Sequence, residues 1–215
     1  MNKYLVAFAS RKEFNCLFPQ ISAVVAASTP VAVGVKYDVC VCGVGVTDFA
    51  TNLSYFLSKN RYERAFLLGV CGAYPNRDLD VGDVVRVDSE VVGDMGVQTV
   101  DGHFLPWGDV SGDKKVYMGE TPRCLPLPQA AVRSVAGVTV NCCTGTEYLA
   151  MRRAELFNAD VESMEGAAFF AVCKRFGVSA CEFRAVSNIA TDRDPSQWKI
   201  AESLANLKEQ VLDFL

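Results

Sequence analysis

The segment with the clearest chemical character is Val161-Glu162-Ser163-Met164-Glu165-Gly166-Ala167-Ala168. It places the carboxylate of Glu165 directly before three small residues at the start of a predicted helix. A helix N-terminus carries partial positive charge, so a carboxylate there is favoured in its ionised form. The three small residues would let that helix pack closely against a sheet. The segment therefore predicts either a negative charge held beside a pocket or a simple helix cap.

A second candidate is the turn Gly43-Val44-Gly45, which precedes the first long predicted helix. Such a turn favours positive φ angles and lets a backbone N–H approach a small ligand closely. A dinucleotide-binding turn would carry a third glycine where Asp48 stands, and it would be followed by an acidic residue after a second strand. Both are missing, so the turn is interpreted as a tight connection or a contact with a small ligand rather than as a nicotinamide site.

Cysteine and histidine usage argues against several other kinds of chemistry. The nine cysteines form no C-x-x-C pair, and His103 is the only histidine. Zinc sites need clustered Cys and His ligands, and Ser or Cys hydrolases need a base beside the nucleophile. We therefore expect no metal site and no nucleophilic triad. Cys40, Cys42, Cys71 and Cys181 lie in apolar runs and are predicted to be buried in a reducing compartment.

The length and net charge of the chain limit its domain count and the kinds of molecule it is expected to bind. The chain has 215 residues, a net charge of −4 and 50% hydrophobic residues, which predicts one globular domain over 1–215. It has no basic footprint, so a nucleic acid polymer is not an expected partner. The first apolar run, residues 5–9, is too short for a signal peptide or a membrane span. We expect a cytoplasmic protein with no membrane partner.

Alternating strand-like and helical segments must position the candidate residues. Hydrophobic periodicity predicts strands at 3–9, 31–35, 38–44, 65–70, 83–92, 138–142, 161–164 and 181–189. It predicts helices at 47–59, 126–135, 146–157 and 166–176, and a last helix capped by Ser196, whereas 93–126 is predicted to be loop. This order predicts an α/β domain with helices on both faces of a central mixed sheet. In such sheets ligands bind beyond the carboxyl ends of the strands.

Several further motifs occur in a characteristic order: Ala9-Ser10-Arg11-Lys12-Glu13, Gly69-Val70-Cys71-Gly72-Ala73, Gly82-Asp83-Val84-Val85 and Arg184-Ala185-Val186-Ser187-Asn188. With the two segments above, they resemble the 5′-methylthioadenosine/S-adenosylhomocysteine nucleosidases of the nucleoside phosphorylase superfamily. The resemblance covers nearly the whole chain. Within the group the chain is most similar to the futalosine hydrolase branch of the alternative menaquinone pathway, because it has Glu162-Ser163-Met164-Glu165 and Ser187-Asn188 in place of Ser-Asp. The resemblance implies a three-layer αβα fold and hydrolysis of an N-glycosidic bond without a cofactor.

The resemblance also implies roles for individual residues. Cleavage of an N-glycosidic bond builds positive charge on the ribose and negative charge on the departing purine, by analogy with glycoside hydrolysis. Glu13 would activate water, Glu165 would bind the ribose hydroxyls and stabilise the cation, and Asn188 would face the purine. The other substrate contacts expected from the resemblance are Gly45, Cys71, Gly72, Cys143, Met164, Phe104 and Trp107.

Asn188 bears on which purine is released. The adenine-releasing relatives carry an Asp there, which donates to N7 and accepts from the 6-amino group. An Asn amide instead donates to N7 and to a 6-oxo oxygen, and a mismatched buried group costs about 1–3 kcal/mol. Asn188 therefore favours hypoxanthine as the leaving group. Release of adenine from 6-amino-6-deoxyfutalosine or from 5′-methylthioadenosine and S-adenosylhomocysteine remains an open alternative.

Other residues bear on which 5′ substituent the substrate carries and on whether the protein forms a dimer. Futalosine carries a benzoate, so a cation is expected at the far end of the pocket, and Arg11, Arg193 and Lys199 are the candidates. The alternative for Arg193 is that residues 192–194 form a charged surface turn without a role in binding. In the resembling dimers, the segment that contains Phe104, Pro106 and Trp107 covers the site of the neighbouring subunit, which implies a homodimer.

Two other functions are considered beside the hydrolase. A hexameric phosphorylase would carry a Gly-Asp-Pro…Arg phosphate loop after the first strand, where this chain has 10–13 and a glutamate that would repel phosphate. A non-catalytic purine-nucleoside binding protein on the same fold would not need both Glu13 and Glu165.

Overall fold

The computed structural model describes residues 4–21, 31–33, 36–120 and 132–215. Its strands are β1 (Tyr4–Phe8), β2 (Val31–Val33), β3 (Tyr37–Val41), β4 (Arg64–Ala73), β5 (Val84–Val92), β6 (Gly96–Gln98), β7 (Phe104–Pro106), β8 (Tyr117–Met118), β9 (Arg133–Thr139), β10 (Val161–Ser163) and β11 (Ser179–Ile189). Its α-helices are α1 (Arg11–Leu17), α2 (Val46–Lys59), α3 (Trp107–Ser111), α4 (Glu147–Phe157), α5 (Gly166–Phe176) and α6 (Ile200–Gln210). One-turn 3-10 helices occur at Pro19–Ile21, Pro195–Gln197 and Leu212–Phe214.

A nine-stranded mixed sheet lies at the centre, in the order β10-β9-β5-β11-β4-β1-β3-β2, with β8 paired to β5. Helices cover both faces because successive side chains of a strand point to opposite faces. Val6 and Phe8 of β1 pack with α1 and α6 on one face. Leu5 and Ala7 of the same strand pack with α2 and α5 on the other. This is the predicted three-layer αβα arrangement.

The sheet closes on itself at one side. Strand β10 pairs in parallel with β9 and in antiparallel with β4, so β4, β11, β5, β9 and β10 form a ring. Cys71, Val85, Val87 and Val186 are among the apolar residues that pack together in this part of the sheet. Because β1 and β11 each pair in parallel with β4, which lies between them, the carboxyl ends of the three strands meet at one edge. Gly72 at that edge is paired with both Asn188 and Glu162.

Two predicted features were wrong within the described residues. Residues 133–135 belong to β9 and not to a helix, because they pair in parallel with β5 and bury Val135. Residues 126–131 of that predicted helix lie outside the described residues. Ser196 does not cap the last helix, since it lies in the 3-10 turn and donates its own N–H to Asp194 Oδ1 (3.0 Å). Helix α6 begins four residues later, at Ile200.

Other elements were not predicted. The segment predicted as loop contains the β6–β7 hairpin, α3 and β8, which are two to five residues long and expose most of their side chains. Such short, exposed elements leave no hydrophobic periodicity in the sequence. Helix α1 was also missed, although its Ser10-x-x-Glu13 capping box is readable from the sequence.

The predicted burial of Cys40, Cys42, Cys71 and Cys181 is confirmed. Gly177 ends α5 in the left-handed conformation, with φ +70°, as expected for a helix-terminating glycine. Across the described ranges, the helices are all too short or too polar to cross a bilayer.

Candidate active site

A cavity of about 220 Å³ opens at the edge where β1, β4 and β11 end. The residues predicted from the sequence that line it are Glu13, Cys71, Gly72, Cys143, Met164, Glu165 and Asn188. Gly45 reaches the site through its backbone, because its N–H donates to Glu165 Oε1 (3.1 Å). Phe104 and Trp107 do not line this cavity. They border two other cavities, on the side of the molecule formed by 91–117 and α4.

Glu13 is held by the first turn of α1. Its Oε2 accepts hydrogen bonds from the backbone N–H (2.9 Å) and the hydroxyl (2.7 Å) of Ser10, and its own N–H donates to Ser10 Oγ (3.2 Å). Its Oε1 accepts from the N–H of Val70 in β4 (3.1 Å). Glu13 is 7% exposed, so it is not the solvated surface residue that its place in a first turn allows. Two elements thus fix one carboxylate at the cavity.

Gly69 makes room for this carboxylate. A Cβ at residue 69 would lie 2.6 Å from Glu13 Oε1 and 2.8 Å from Arg184 Nη1. Any larger side chain there would displace both groups, since real Cβ atoms do not approach other atoms so closely. The glycine of the Gly69–Ala73 segment is therefore required by close approach between β4 and the buried charges.

Glu165 precedes α5 but does not cap it. It occupies the N-cap position, yet its carboxylate turns away, to accept from the Gly45 N–H and from Arg184 Nη2 (3.3 Å). It is 3% exposed. Burial raises the pKa of Glu165, and the opposing attraction of Arg184 and the hydrogen bond from Gly45 do not cancel that rise. This direction is opposite to the one that the helix dipole alone would give.

Arg184 lies near both carboxylates, and the sequence analysis named it only as part of a motif, without a role. It is 1% exposed on β11, and its guanidinium contacts Glu182 Oε1 through Nε (2.7 Å), Glu165 Oε2 and Ser163 Oγ through Nη2 (3.3 Å each), and the Val70 carbonyl through Nη1 (3.3 Å). Burial alone would lower the pKa of Arg184, but Glu182, Glu165 and Glu13 raise it above its usual value. A charged pair, Glu182-x-Arg184, inside an apolar strand was the available signal, because such residues are rarely buried without partners.

Asn188 is aimed into the cavity by a bulge in β11. The pairing of β11 with β4 shifts register between Val186 and Asn188, and such bulges redirect side chains beside functional sites. The single hydrogen of the Ser187 hydroxyl has two acceptors, Asn188 Oδ1 (2.9 Å) and the Cys71 carbonyl (3.2 Å). The shorter contact favours the amide with its NH₂ group as the donor side. One of the two amide hydrogens points to the Ile189 carbonyl (3.3 Å), and the other remains for a ligand.

The wall beside Asn188 is held by a second buried ion pair, which was also missed. Glu162 accepts from the Thr144 N–H (2.8 Å), the Thr144 hydroxyl and the Tyr74 hydroxyl (3.0 Å). Arg153 of α4 lies 3.4 Å from the same carboxylate and donates to the Cys142 carbonyl (3.0 Å). These contacts fix the 142–144 loop, and with it Cys143, against the cavity.

Of the three cations considered for the 5′ substituent, one lines the cavity. Arg193 lines the cavity and stacks on Trp198, with 4.7 Å between its guanidinium carbon and the ring centroid. Arg11 and Lys199 do not line it. Lys12, which the sequence analysis did not single out, does.

Thiol and metal chemistry find no support among the described residues. Burial raises the pKa of Cys71 to about 12 and also raises the pKa of Cys143, so both stay as neutral thiols. No group of three or more His, Cys, Asp or Glu side chains in the described part of the chain is arranged to hold a metal ion.

Comparison with known proteins gives consistent results. The sequence matches the family described as Phosphorylase superfamily over residues 24–214. Futalosine hydrolase of Thermus thermophilus is 33% identical over 181 residues, which cover 79% of this chain and 76% of that protein. Futalosine hydrolase of Streptomyces coelicolor is 29% identical over 182 residues, covering 81% and 77%.

Solved structures agree with the fold. Futalosine hydrolase of Helicobacter pylori strain 26695 superimposes with a TM-score of 0.76 at 18% identity, covering 100% of this chain and 98% of that one. The 5′-methylthioadenosine/S-adenosylhomocysteine nucleosidase of the same organism, solved in complex with a substituted pyrrolidinol, gives a TM-score of 0.74 at 18% identity, covering 99% of this chain and 98% of that one.

Replacement of Glu165 by Gln is expected to change how stability depends on pH. Because the pKa of Glu165 is raised on folding, the folded protein holds its proton over a pH range in which the unfolded chain has released it. The stability that this group contributes is therefore present at low pH and is lost as pH rises through its folded pKa. The free energy of unfolding of Glu165→Gln, relative to wild type, should increase with pH above the normal carboxyl range.

Denaturant titrations from pH 4 to pH 8 measure this difference. Glu202→Gln, at an exposed position in the first turn of α6, is the matched control and should leave the pH dependence unchanged. If the difference in free energy of unfolding between Glu165→Gln and wild type were constant across this range, the raised pKa of Glu165 would be contradicted.

Proposed function

The chain belongs to the futalosine hydrolases of the phosphorylase superfamily, and from this premise we propose that it hydrolyses the N-glycosidic bond of futalosine. The products are hypoxanthine and dehypoxanthine futalosine, in the alternative menaquinone pathway. The observation that carries the proposal is the pair of buried carboxylates, Glu13 and Glu165, at one cavity, with Arg184 bonded to Glu165 and close to Glu13. One carboxylate is suited to act on water and the other on the sugar.

Glu13 is the proposed base for water. Its orientation is set by Ser10 and Val70 before any substrate binds, and such preorganised groups need no rearrangement in the transition state. As the C1′–N9 bond breaks, the oxygen of water bonds to C1′ and Glu13 accepts the water proton. The bonding electrons leave with the purine, which takes up a proton from solvent to become neutral hypoxanthine, while Glu13 returns the water proton to solvent, so that no net proton is consumed.

Glu165 is the proposed partner of the ribose. Its ionised form would accept hydrogen bonds from the sugar hydroxyls and stabilise the positive charge that develops on the ring. Its low exposure strengthens this interaction, because charges attract more strongly where water is excluded. Met164, beside it on the cavity wall, is proposed to contact the face of the sugar.

Asn188 is proposed to bind the purine edge. The amide orientation favoured by Ser187 presents a donor to the cavity, which suits the acceptors N7 and O6 of hypoxanthine. Only one amide hydrogen is available, because the other is directed to the Ile189 carbonyl. Gly45, Cys71, Gly72 and Cys143 are proposed to complete the substrate surface.

The assembly and the cellular location are proposed on separate grounds. We propose a single domain over 1–215 that works as a homodimer, with Phe104 and Trp107 reaching the partner's site. Exposed apolar side chains support this interface, including Leu105, Val110 and Val116 beside Trp107. The eight described cysteines are free, which supports the cytoplasm as the location.

Loss of either carboxylate is expected to remove most of the activity. Glu13→Gln and Glu165→Gln should each lower kcat by at least about 10²-fold, the usual scale for a positioned base or a charge-stabilising group. Hypoxanthine release from futalosine in phosphate-free buffer measures the effect, and Glu202→Gln is the matched control. Turnover near that of wild type in either variant would remove that residue from its role. A requirement for phosphate would indicate a phosphorylase instead.

The identity of the released base depends on Asn188. Wild type should prefer futalosine over 6-amino-6-deoxyfutalosine, and Asn188→Asp should shift the ratio of kcat/KM toward the amino compound by about 1–3 kcal/mol. The reason is that a protonated Asp offers one donor and one acceptor, whereas the amide in this orientation offers a donor. Hypoxanthine and adenine are quantified side by side for both proteins. A wild type that favours the amino compound would support the adenine-releasing alternative.

The carboxylate of futalosine is expected to bind Arg193. Arg193→Gln should lower kcat/KM for futalosine by about tenfold, the scale of one lost charge-assisted hydrogen bond at an exposed site, and should leave inosine cleavage unchanged because inosine has no carboxylate. Arg11→Gln is the matched control, since Arg11 does not line the cavity. If Lys12→Gln gives the selective loss instead, Lys12 and not Arg193 reads the carboxylate.

A further inference from the structure

Two carboxylates lie behind the active site without enough partners. Glu90 of β5 is 1% exposed and Glu182 of β11 is 0% exposed. Each has one oxygen that is bonded: Glu90 Oε2 accepts from the Thr139 hydroxyl (2.9 Å), and Glu182 Oε1 accepts from Arg184 Nε (2.7 Å). The other two oxygens, Glu90 Oε1 and Glu182 Oε2, are fully buried and have no hydrogen-bond partner among the residues that the structure describes.

The two unpartnered oxygens point to the same place. An ideal Cβ on Gly166, the first residue of α5, would lie 2.6 Å from Glu182 Oε2 and closer still to Glu90 Oε1. The two oxygens are therefore at most about 5 Å apart. Buried acceptors without donors are rare in folded proteins, and two that face each other can be satisfied together by one hydrogen placed between them.

The charges around Glu90 and Glu182 also require a proton between the two carboxyl groups. Within the part of the chain that the structure describes, Arg184 is the one cation in contact with these carboxylates, and it already faces Glu165, Glu182 and Glu13. A fourth negative charge on Glu90 would be buried beside them with no cation of its own. An unpaired buried carboxylate costs several kcal/mol, so such a group takes up a proton instead.

We propose that Glu90 and Glu182 share one proton in the folded protein, with Glu90 as the neutral acid that donates to Glu182 Oε2. Glu182 then carries a single negative charge, which holds Arg184 through Nε. With Nε held, Nη2 points to Glu165 and Ser163, and Nη1 to β4. The pair acts on the reaction through Arg184, so Glu90 and Glu182 are positioning residues and not catalytic ones.

The surroundings agree with this assignment. The charged or titratable groups that face the pair are Arg184 on β11, Glu165 at the start of α5, Cys71 on β4 and Tyr74 directly after β4. The Thr139 hydroxyl faces it from β9. Burial, together with the neighbouring Glu182, raises the pKa of Glu90, and burial also raises the pKa of Glu182 in spite of Arg184. Two adjacent carboxyl groups that share one proton titrate as a coupled pair, in which the first proton is released more easily than the second.

The direct test is infrared spectroscopy of the protein labelled with ¹³C-glutamate, at neutral pH. Wild type should show a protonated, buried glutamic acid band, and Glu90→Gln should lose it. Absence of the band in wild type, or its persistence unchanged in Glu90→Gln, would overturn the proposal. Because burial also raises the pKa of Glu165, Glu165→Gln is measured as well and should keep the band, which assigns it to the pair even if Glu90→Gln does not fold. Loss of the band in Glu165→Gln would overturn the proposal, and neither measurement depends on the substrate.

The kinetic test rests on the proposed function. Glu90→Gln keeps a neutral donor beside Glu182, whereas Glu182→Gln removes the charge that holds Arg184. The kcat of Glu90→Gln should therefore be at least about tenfold higher than that of Glu182→Gln. In wild type, kcat should fall as pH rises through the pKa of the pair, because a second buried anion then competes for Arg184. That fall should be absent in Glu90→Gln. Equal losses in the two variants, or an identical pH profile in wild type and Glu90→Gln, would overturn the role.

The two tests separate two kinds of failure. If futalosine is not cleaved but the infrared band is present and lost in Glu90→Gln, the shared proton stands and the proposed function fails. If futalosine is cleaved but the band is absent from wild type, the function stands and the shared proton fails.

Discussion

The active site depends on one buried cation. Arg184 lies inside the sheet, and its guanidinium contacts groups from β10, β4 and its own strand, together with the carboxylate that precedes α5. A buried charge of this kind is tolerated only where its hydrogen bonds are made, so every surrounding element must supply a partner. The positions of Glu165 and Ser163 follow from this requirement as much as from packing.

Small residues make the charge cluster possible. Gly69 leaves room for Glu13 and Arg184, and Gly166 leaves room for Glu90 and Glu182. Neither glycine has a positive φ angle, so their role is close approach and not backbone freedom. Gly43 and Gly45 are different, since their φ values of +102° and +87° require glycine, and this turn delivers an N–H to Glu165. The same residue type thus serves two separate physical needs around one cavity.

The cavity has a different construction on each side. The side proposed for the sugar consists of charged groups held by Arg184 and by the capping box of α1. The side proposed for the purine consists of a bulged strand and a loop, held by Ser187 and by the Glu162–Arg153 ion pair. This division suits a reaction in which a stable framework stabilises the cation while neutral donors select the base. It also explains why the thiols at the wall need no reactivity of their own.

The sequence by itself determined the layers of the fold, and strong periodicity located α2 and α5, because these signals lie within short stretches of chain. The family resemblance carried by the order of the glycine and glutamate motifs predicted Glu13, Glu165 and Asn188, which line one cavity in the structure. The tertiary structure alone decided what depends on distant segments: the strand at 133–135, the pairing of β10 with both β9 and β4, and the placement of Arg193 at the cavity. It also brought Arg184 between Glu13 and Glu165, which are 152 residues apart in the sequence. Local propensity carries no information on which buried charges meet, since that is set by the register of strands whose partners are far away in the chain.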